Sequence, residues 1–332
     1  MSALVPVRRG QPSIEDVHIN TALSNFGVAF FQSQEFVFDK VFPSLDVDHK
    51  SDTYWTFPKD AWLRDEAQKR APSTESAGSG FTTGTDTYNC DVYAFHKDLD
   101  KQTLANADDA LSLEEATINF VASRLGLRQE RQWAADYFTT GVWGTDVAGN
   151  AATNYATPQV MYWNNAASDP VADIDWAKER MLLATGFEPN TLVIGYQTYR
   201  ILRRHPDFID RVKYTSQESV SFEMLKAFLE VENLHVARSV VNTAQEGAAA
   251  SQSFIHGKSA WLGYVPSTPS RITPSAGYTF RWTGVSGSLG IGVGVGTIDM
   301  PQIKSTRYEM EVAFDNKKVA ADLGIFFNNV IQ

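Results

Sequence analysis

Gly287-Ser288-Leu289-Gly290-Ile291-Gly292-Val293-Gly294-Val295-Gly296 is the stretch of this chain whose composition comes nearest to a phosphate cradle. Backbone amides unobstructed by side chains can close around an anion, and G-x-G-x-x-G does so where a strand turns into a helix. Here glycine alternates with aliphatic residues, that spacing never occurs, and no Walker lysine follows. The run reads as a flexible, glycine-rich loop. The imidazoles His18, His49, His96, His205, His235 and His256 are scattered. None stands in H-E-x-x-H or at ligand spacing from a carboxylate, as zinc would require. His235 and His256 fall in apolar strand-like runs, where an uncharged core imidazole is expected. No G-x-S-x-G elbow presents a nucleophilic serine. Asp207 and Asp210 sit where carboxylates usually solvate a helix end. Cys90 is the sole cysteine, which excludes an internal disulfide and a cysteine zinc site. The residue types that do chemistry are present, but no spacing assembles them, so no catalytic, cofactor or metal residue is assigned.

Composition points the same way. A chain of 332 residues is long enough for one large or two modest domains with a proper core. Hydrophobic residues at 43% and charged residues at 20% fit a soluble globular protein. A net charge of −10 argues against nucleic-acid binding by bulk electrostatics, which needs clustered Lys and Arg to release counterions. Basic pairs such as Arg8-Arg9 and Arg203-Arg204 are local exceptions. The N-terminus lacks the apolar core of a signal peptide, and no apolar run is long enough for a bilayer. These features predict a soluble protein made in the cytoplasm, with no membrane partner.

The elements follow from pattern. Residues 1–45 read as an arm, with Phe26, Val28, Phe30, Phe31, Phe36, Val37 and Phe38 crowding its second half. So apolar an arm must pack on its own domain or on a neighbour. Thr53–Phe57 and Asn89–Phe95 read as strands, rich in aromatic and β-branched residues. Between them runs a long polar, Gly/Ser/Thr-rich loop, which in a compact protein signals function or disorder. Ser112 and Glu115 form a capping-box pair ahead of a stripe at Ile118, Val121, Leu125, Trp133, Tyr137 and Phe138. They predict a helix over 112–138 near 40 Å long, at roughly 1.5 Å per residue. Arg124, Arg128, Glu130 and Arg131 are expected on its outer side. Residues 139–172 read as an irregular connector.

The segment Asp173–Tyr214 is the most legible. It predicts a helix capped by Asp173 or Asp175, with Trp176, Met181, Leu182 and Leu183 on its apolar side and a stop at Gly186. A buried strand at Leu192-Val193-Ile194 and a helix closing at His205-Pro206 follow. A helix at Ser221–Leu229 and strands near 234–237, 253–256, 260–264, 278–282, 307–314 and 323–327 complete an alternating pattern. That pattern predicts α+β architecture with a mixed sheet.

The order of these pieces resembles one family. Arg70-Ala71-Pro72 followed by Tyr88-Asn89-Cys90 and Tyr93-Ala94 resembles the extended loop and return strand of tailed-bacteriophage major capsid proteins. The helix from Ser112 through Arg128-Gln129-Glu130-Arg131 is similar to their long spine helix. Asp173–Tyr214, with PN-x-LVIG and HPDF-x-DR, is similar to their axial-domain helix, strand and helix. The resemblance covers roughly residues 40–331 and implies an HK97-like shell fold. Its parts would be an N-terminal arm (1–45), an extended loop with flanking strands (46–98), a peripheral domain (99–171 and 301–332) and an axial domain (172–300).

The function so implied is self-assembly into hexamers and pentamers of an icosahedral head that encloses double-stranded DNA. The glycine run would then lie at a symmetry axis or edge of the assembly. A separate scaffold protein, a portal protein at one vertex and an optional decoration protein are the expected partners, with only weak contact to packaged DNA on the inner face. A lysine–asparagine cross-link known in one branch has no matching residues here. Trp62, Arg64, Arg70, Arg128, Glu130 and Arg131 are the expected inter-subunit contacts. A nanocompartment shell around cargo enzymes, and an α/β enzyme with an unrecognised site, are the competing readings.

Overall fold

The structure is a computed structural model that describes residues 18–19, 36–56, 63–80, 82–105, 110–212, 220–270, 273–285 and 293–332. Two six-stranded sheets and one long helix organise them. In the first sheet, Ser305–Lys318 is the central strand and is 14 residues long. It pairs antiparallel with Val293–Met300, Asp91–Asp100 and Gly277–Trp282. Ser44–Val47 joins Gly277–Trp282 in parallel, and His18–Ile19 joins Val293–Met300. The central strand alternates, as a strand with two different faces must. Tyr308, Met310, Val312 and Phe314 are buried against Ile118, Val121 and Leu125 of the long helix, whereas Ala313 packs with Tyr88, Cys90 and Phe280.

The long helix spans Ala110–Tyr137, about 42 Å at roughly 1.5 Å per residue. It opens two residues before Ser112, which therefore lies inside the first turn rather than at the cap. Its first half seals the first sheet, and its second half enters another core. There Trp133, Ala134 and Phe138 meet Phe36, Val37, Phe38, Val41 and Phe42. Phe42 stands 4.7 Å from the Tyr137 ring and 5.8 Å from that of Trp133. The end of the expected arm is thus built into the chain's own core, and the expected boundary at residue 45 falls inside a strand. Phe26, Val28, Phe30 and Phe31 lie outside the described residues.

The second sheet runs in the order Gln159–Met161, Thr145–Asn150, Gly324–Asn328, Ala260–Gly263, Thr191–Gly195 and Asn233–Ala237. It is mixed, as the alternating pattern predicts. Two of its strands arise within 139–172, read above as irregular; their small, polar sequence carries no β signal. Thr191–Gly195 is buried throughout, with Leu192 and Ile194 in one core and Val193 in the other. Gly195 is required there, because a Cβ would lie 2.1 Å from the Gly257 carbonyl oxygen. The expected domain ranges do not coincide with the sheets. Segments 145–161 and 324–328 share a sheet with 191–263, while Ser44–Val47 and Gly277–Trp282 share one with 305–318.

The helix Pro170–Thr185 corrects the expected cap. Asp169 is the N-cap, its carboxylate accepting from the Ala172 amide at 3.0 Å, with Pro170 in the first turn. Asp173 is instead buried, accepting from Trp163 Nε1 and the Tyr155 hydroxyl, both at 2.9 Å, and burial lifts its pKa to about 6. Asp175 faces outward, 3.7 Å from Lys178. The stop at Gly186 is as expected, in the left-handed conformation at φ 77°. Leu182 and Leu183, expected on the apolar side, are exposed; Ile174, Ala177, Lys178 and Met181 face the core. We expect Asp169→Ala to lower stability by about 1 kcal/mol in thermal unfolding, through an unsatisfied amide at the helix start. Ser221 caps Phe222–Phe228 in the same manner.

Of the glycine run, Val293–Gly296 is not loop. It pairs with residues 309–312 as the start of a strand, and residues 286–292 lie outside the described residues.

Candidate functional site

Among the described residues, no group of three or more His, Cys, Asp or Glu side chains is placed to hold a metal ion. No helix among them is long and apolar enough to cross a membrane. Cys90 is buried, and burial pushes its thiol up to about 12, so it is a poor nucleophile. His256 is buried and His235 partly so; burial depresses them to about 3 and about 4. Both are uncharged at neutral pH. The features that stand out are surfaces.

The first is an excursion from the first sheet. Ser51–Thr56 and Gly84–Asn89 form an antiparallel pair in the register Ser51–Asn89 to Thr56–Gly84. Six residues at roughly 3.3 Å each carry the chain about 20 Å outward. Its base is well anchored. Tyr88 stacks on Phe280 at 4.5 Å, Tyr54 lies 5.3 Å from the same ring, and the Asn89 amide donates to Asp315 at 2.8 Å. Beyond the base, every residue from 63 to 80 is exposed. Within that run the bonds are local. Arg70 Nε donates to the Thr74 carbonyl, which closes a turn, and Arg64 stands 3.8 Å from Glu66. Leu63 is 58% exposed, although its Cδ2 is 3.6 Å from where a Cβ on Gly186 would sit. Trp62 lies outside the described residues.

The second surface is the outer side of the long helix. Arg124, Arg128 and Arg131 are exposed there, as expected. Arg128 lies 5.3 Å over the Tyr93 ring, and Arg124 and Lys97 lie 5.1 and 5.2 Å from Phe120.

Glu130, expected on that surface, does not belong to it. It is wholly buried, and its carboxylate accepts from the Val37 and Phe38 amides at 3.1 Å and the Ser239 hydroxyl at 3.0 Å. His256 Nε2 lies 3.5 Å away, beyond hydrogen-bond length. Burial pushes the Glu130 carboxyl up to about 7, against the pull of its three donors. Glu130 thus ties the long helix to residues 37–38 and to the periphery of the second sheet. The sequence carries one signal for this: Glu130 falls eight residues after Ala122 and four after Gly126, on the helix's buried stripe.

The comparisons bear on these surfaces. No family model matches the chain. The major capsid protein of Burkholderia phage BcepMu is 25% identical over 273 residues, covering 80% of this chain and 84% of that protein. The major capsid protein of Pseudomonas phage JBD67 is 26% identical over 327 residues, covering 94% and 97%. Among solved structures, a phage-related protein from Bordetella bronchiseptica superposes with TM-score 0.71 at 24% identity, covering 94% of this chain and 97% of that one. The mature capsid of bacteriophage PhiM1 gives TM-score 0.52 at 9% identity, covering 89% and 87%. Sequence matches along most of the chain and the shared architecture agree: this chain is a homologue of tailed-phage major capsid proteins and has their HK97-like fold.

Proposed function

We propose that this chain is a shell-forming structural protein that assembles in many copies into an icosahedral phage head around double-stranded DNA, without catalysis of its own. The observation that carries this reading is the match along most of the chain to two proteins named major capsid protein. The exposed excursion agrees with it, since shell contacts are obligate and bury large areas, about 2,000–5,000 Å². In this reading the long helix and first sheet form the peripheral unit, and the second sheet with its helices forms the axial unit of hexamers and pentamers. Arg64, Arg70 and Trp62 on the excursion, and Arg128 and Arg131 on the helix, are the proposed contacts between subunits. Glu130 acts within one subunit. A separate scaffold protein guides closure, a portal protein occupies one vertex, and decoration is optional. The net charge of −10 keeps packaged phosphates at a distance.

The test is expression with the cognate scaffold in the bacterial host, scored by sedimentation and negative-stain microscopy. Closed particles of hexamers and pentamers are the expected result. Particles filled with protein cargo would favour the nanocompartment reading. Persistent small oligomers that turn over a substrate would favour an enzyme.

A further inference from the structure

The strand Asp91–Asp100 is ten residues long and lies at an edge of the first sheet. Among the described residues it pairs only with Ser305–Lys318, from Asp91 opposite Phe314 to Asp100 opposite Ser305. Its other edge therefore offers a row of backbone amides and carbonyls to an incoming strand. Neither a proline nor a bulge blunts that edge, and Val92 and Phe95 on it are 42% and 37% exposed. Its two faces differ. Tyr93, Phe95 and Lys97 lie on the side of the long helix, with Tyr93 stacked on Phe314 at 5.0 Å, Phe95 6.0 Å from Phe120, and Lys97 5.2 Å over that ring. Val92, Ala94 and His96 alternate with them on the opposite, exposed face.

We propose that this edge joins two copies of the chain, strand against strand, about a two-fold axis at Ala94. The inference rests on the shell reading and names one contact through which its copies meet. What carries it is that Asp91-Val92-Tyr93-Ala94-Phe95-His96-Lys97 is complementary to its own reverse. Laid antiparallel on a second copy with Ala94 opposite Ala94, Asp91 meets the second copy's Lys97 and Tyr93 meets its Phe95. A two-fold axis repeats both pairs, as an isologous contact must. Opposite charges and aromatic pairs are the cross-strand partners that stabilise a sheet. The register is specific: displacing it by two residues sets Asp91 opposite Phe95 or Leu99 and loses both ion pairs. Seven residues a side fall short of the roughly 20–30 that a stable interface needs, so the contact forms where assembly brings copies together.

The test uses the full-length chain carrying Ala94→Cys, assembled with scaffold and then oxidised; Cys90 is buried and does not compete. Non-reducing electrophoresis should show a disulfide-linked dimer as the main band. His96→Cys alone should give about a tenth of that yield or less, because two such positions lie about 13 Å apart at roughly 3.3 Å per residue, beyond disulfide reach. A mixture of Val92→Cys and His96→Cys chains should restore the dimer. Adding Lys97→Asp to Ala94→Cys should cut the yield about tenfold, and adding Asp91→Lys as well should recover it. Particles without the Ala94→Cys dimer, equal yields from the two single variants, or a charge swap that recovers nothing would each overturn the edge contact and leave the shell reading standing. If no particles form, the shell reading fails, and oxidation of the concentrated, unassembled chain decides the edge by the same pattern of yields. Benzophenone maleimide on the Ala94→Cys thiol reads any other occupant, and capture of scaffold or of a different segment of the chain would also overturn the proposal.

Discussion

A chain lacking residues 60–80 should remain soluble and monomeric and should form no shells. The described part of this stretch makes its bonds within itself and leaves each residue exposed, so the two sheets lose little when it is removed. The paired strands at its base stay anchored through Tyr88, Phe280 and Asp315. What is lost is contact area with the neighbour, and because the interface recurs at every copy, a modest loss per contact becomes total for a closed particle. Sedimentation of the purified deletion variant with scaffold present reads the outcome. Normal particles would show that the excursion only decorates the shell. A chain that fails to fold would show that residues 60–80 belong to the monomer's core.

Replacing Glu130 should destabilise the chain more than removing the Asp169 cap does. Glu130→Ala leaves the Val37 and Phe38 amides unsatisfied in a dry interior, at about 1–3 kcal/mol for each such group. Relief of the buried carboxyl offsets part of this, so a net loss of about 2–4 kcal/mol is expected. The conservative change has a distinct signature in pH. The Glu130 pKa is raised from 4.5 to about 7, so its contribution is fully present below pH 4.5 and is lost as pH rises to 7. The His256 pKa is lowered from 6.5 to about 3, so its contribution is present above pH 6.5 and is lost as pH falls to 3. Between pH 4.5 and 6.5 the two trends oppose each other. Relative to wild type, Glu130→Gln should therefore gain stability as pH rises through that window, by on the order of 1 kcal/mol per pH unit. His256→Phe should change in the opposite sense. Thermal unfolding of the unassembled variants across that range gives the difference directly, and parallel curves for all three proteins would refute both shifts.

How much of this was legible in the sequence depended on whether a signal was local. The Leu192-Val193-Ile194 run, the stop at Gly186 and the stripe from Ile118 to Phe138 each follow from residues a few positions apart, and the structure holds these three. The helix expected to close at His205-Pro206 ends earlier, at Leu202, and Pro206 opens the next helix, Pro206–Val212. Their order was enough to suggest the shell family, which the capsid homologues support. The strands at 145–150 and 159–161 had no such signal. They exist because Gly324–Asn328, far along the chain, offers them a partner edge. Asp173 looked like a cap because acidic residues favour a helix start, but Asp169 reached the free amide first, and Trp163 and Tyr155 drew Asp173 inward. Glu130 looked like part of a charged face beside Arg128 and Arg131. Helical spacing places it on the buried stripe, yet spacing alone supplies no partner that would let a carboxylate stay there. Only the folded chain brings the amides of residues 37 and 38, some ninety positions away, to its oxygens, and these donors offset part of the desolvation that burial imposes on the carboxyl.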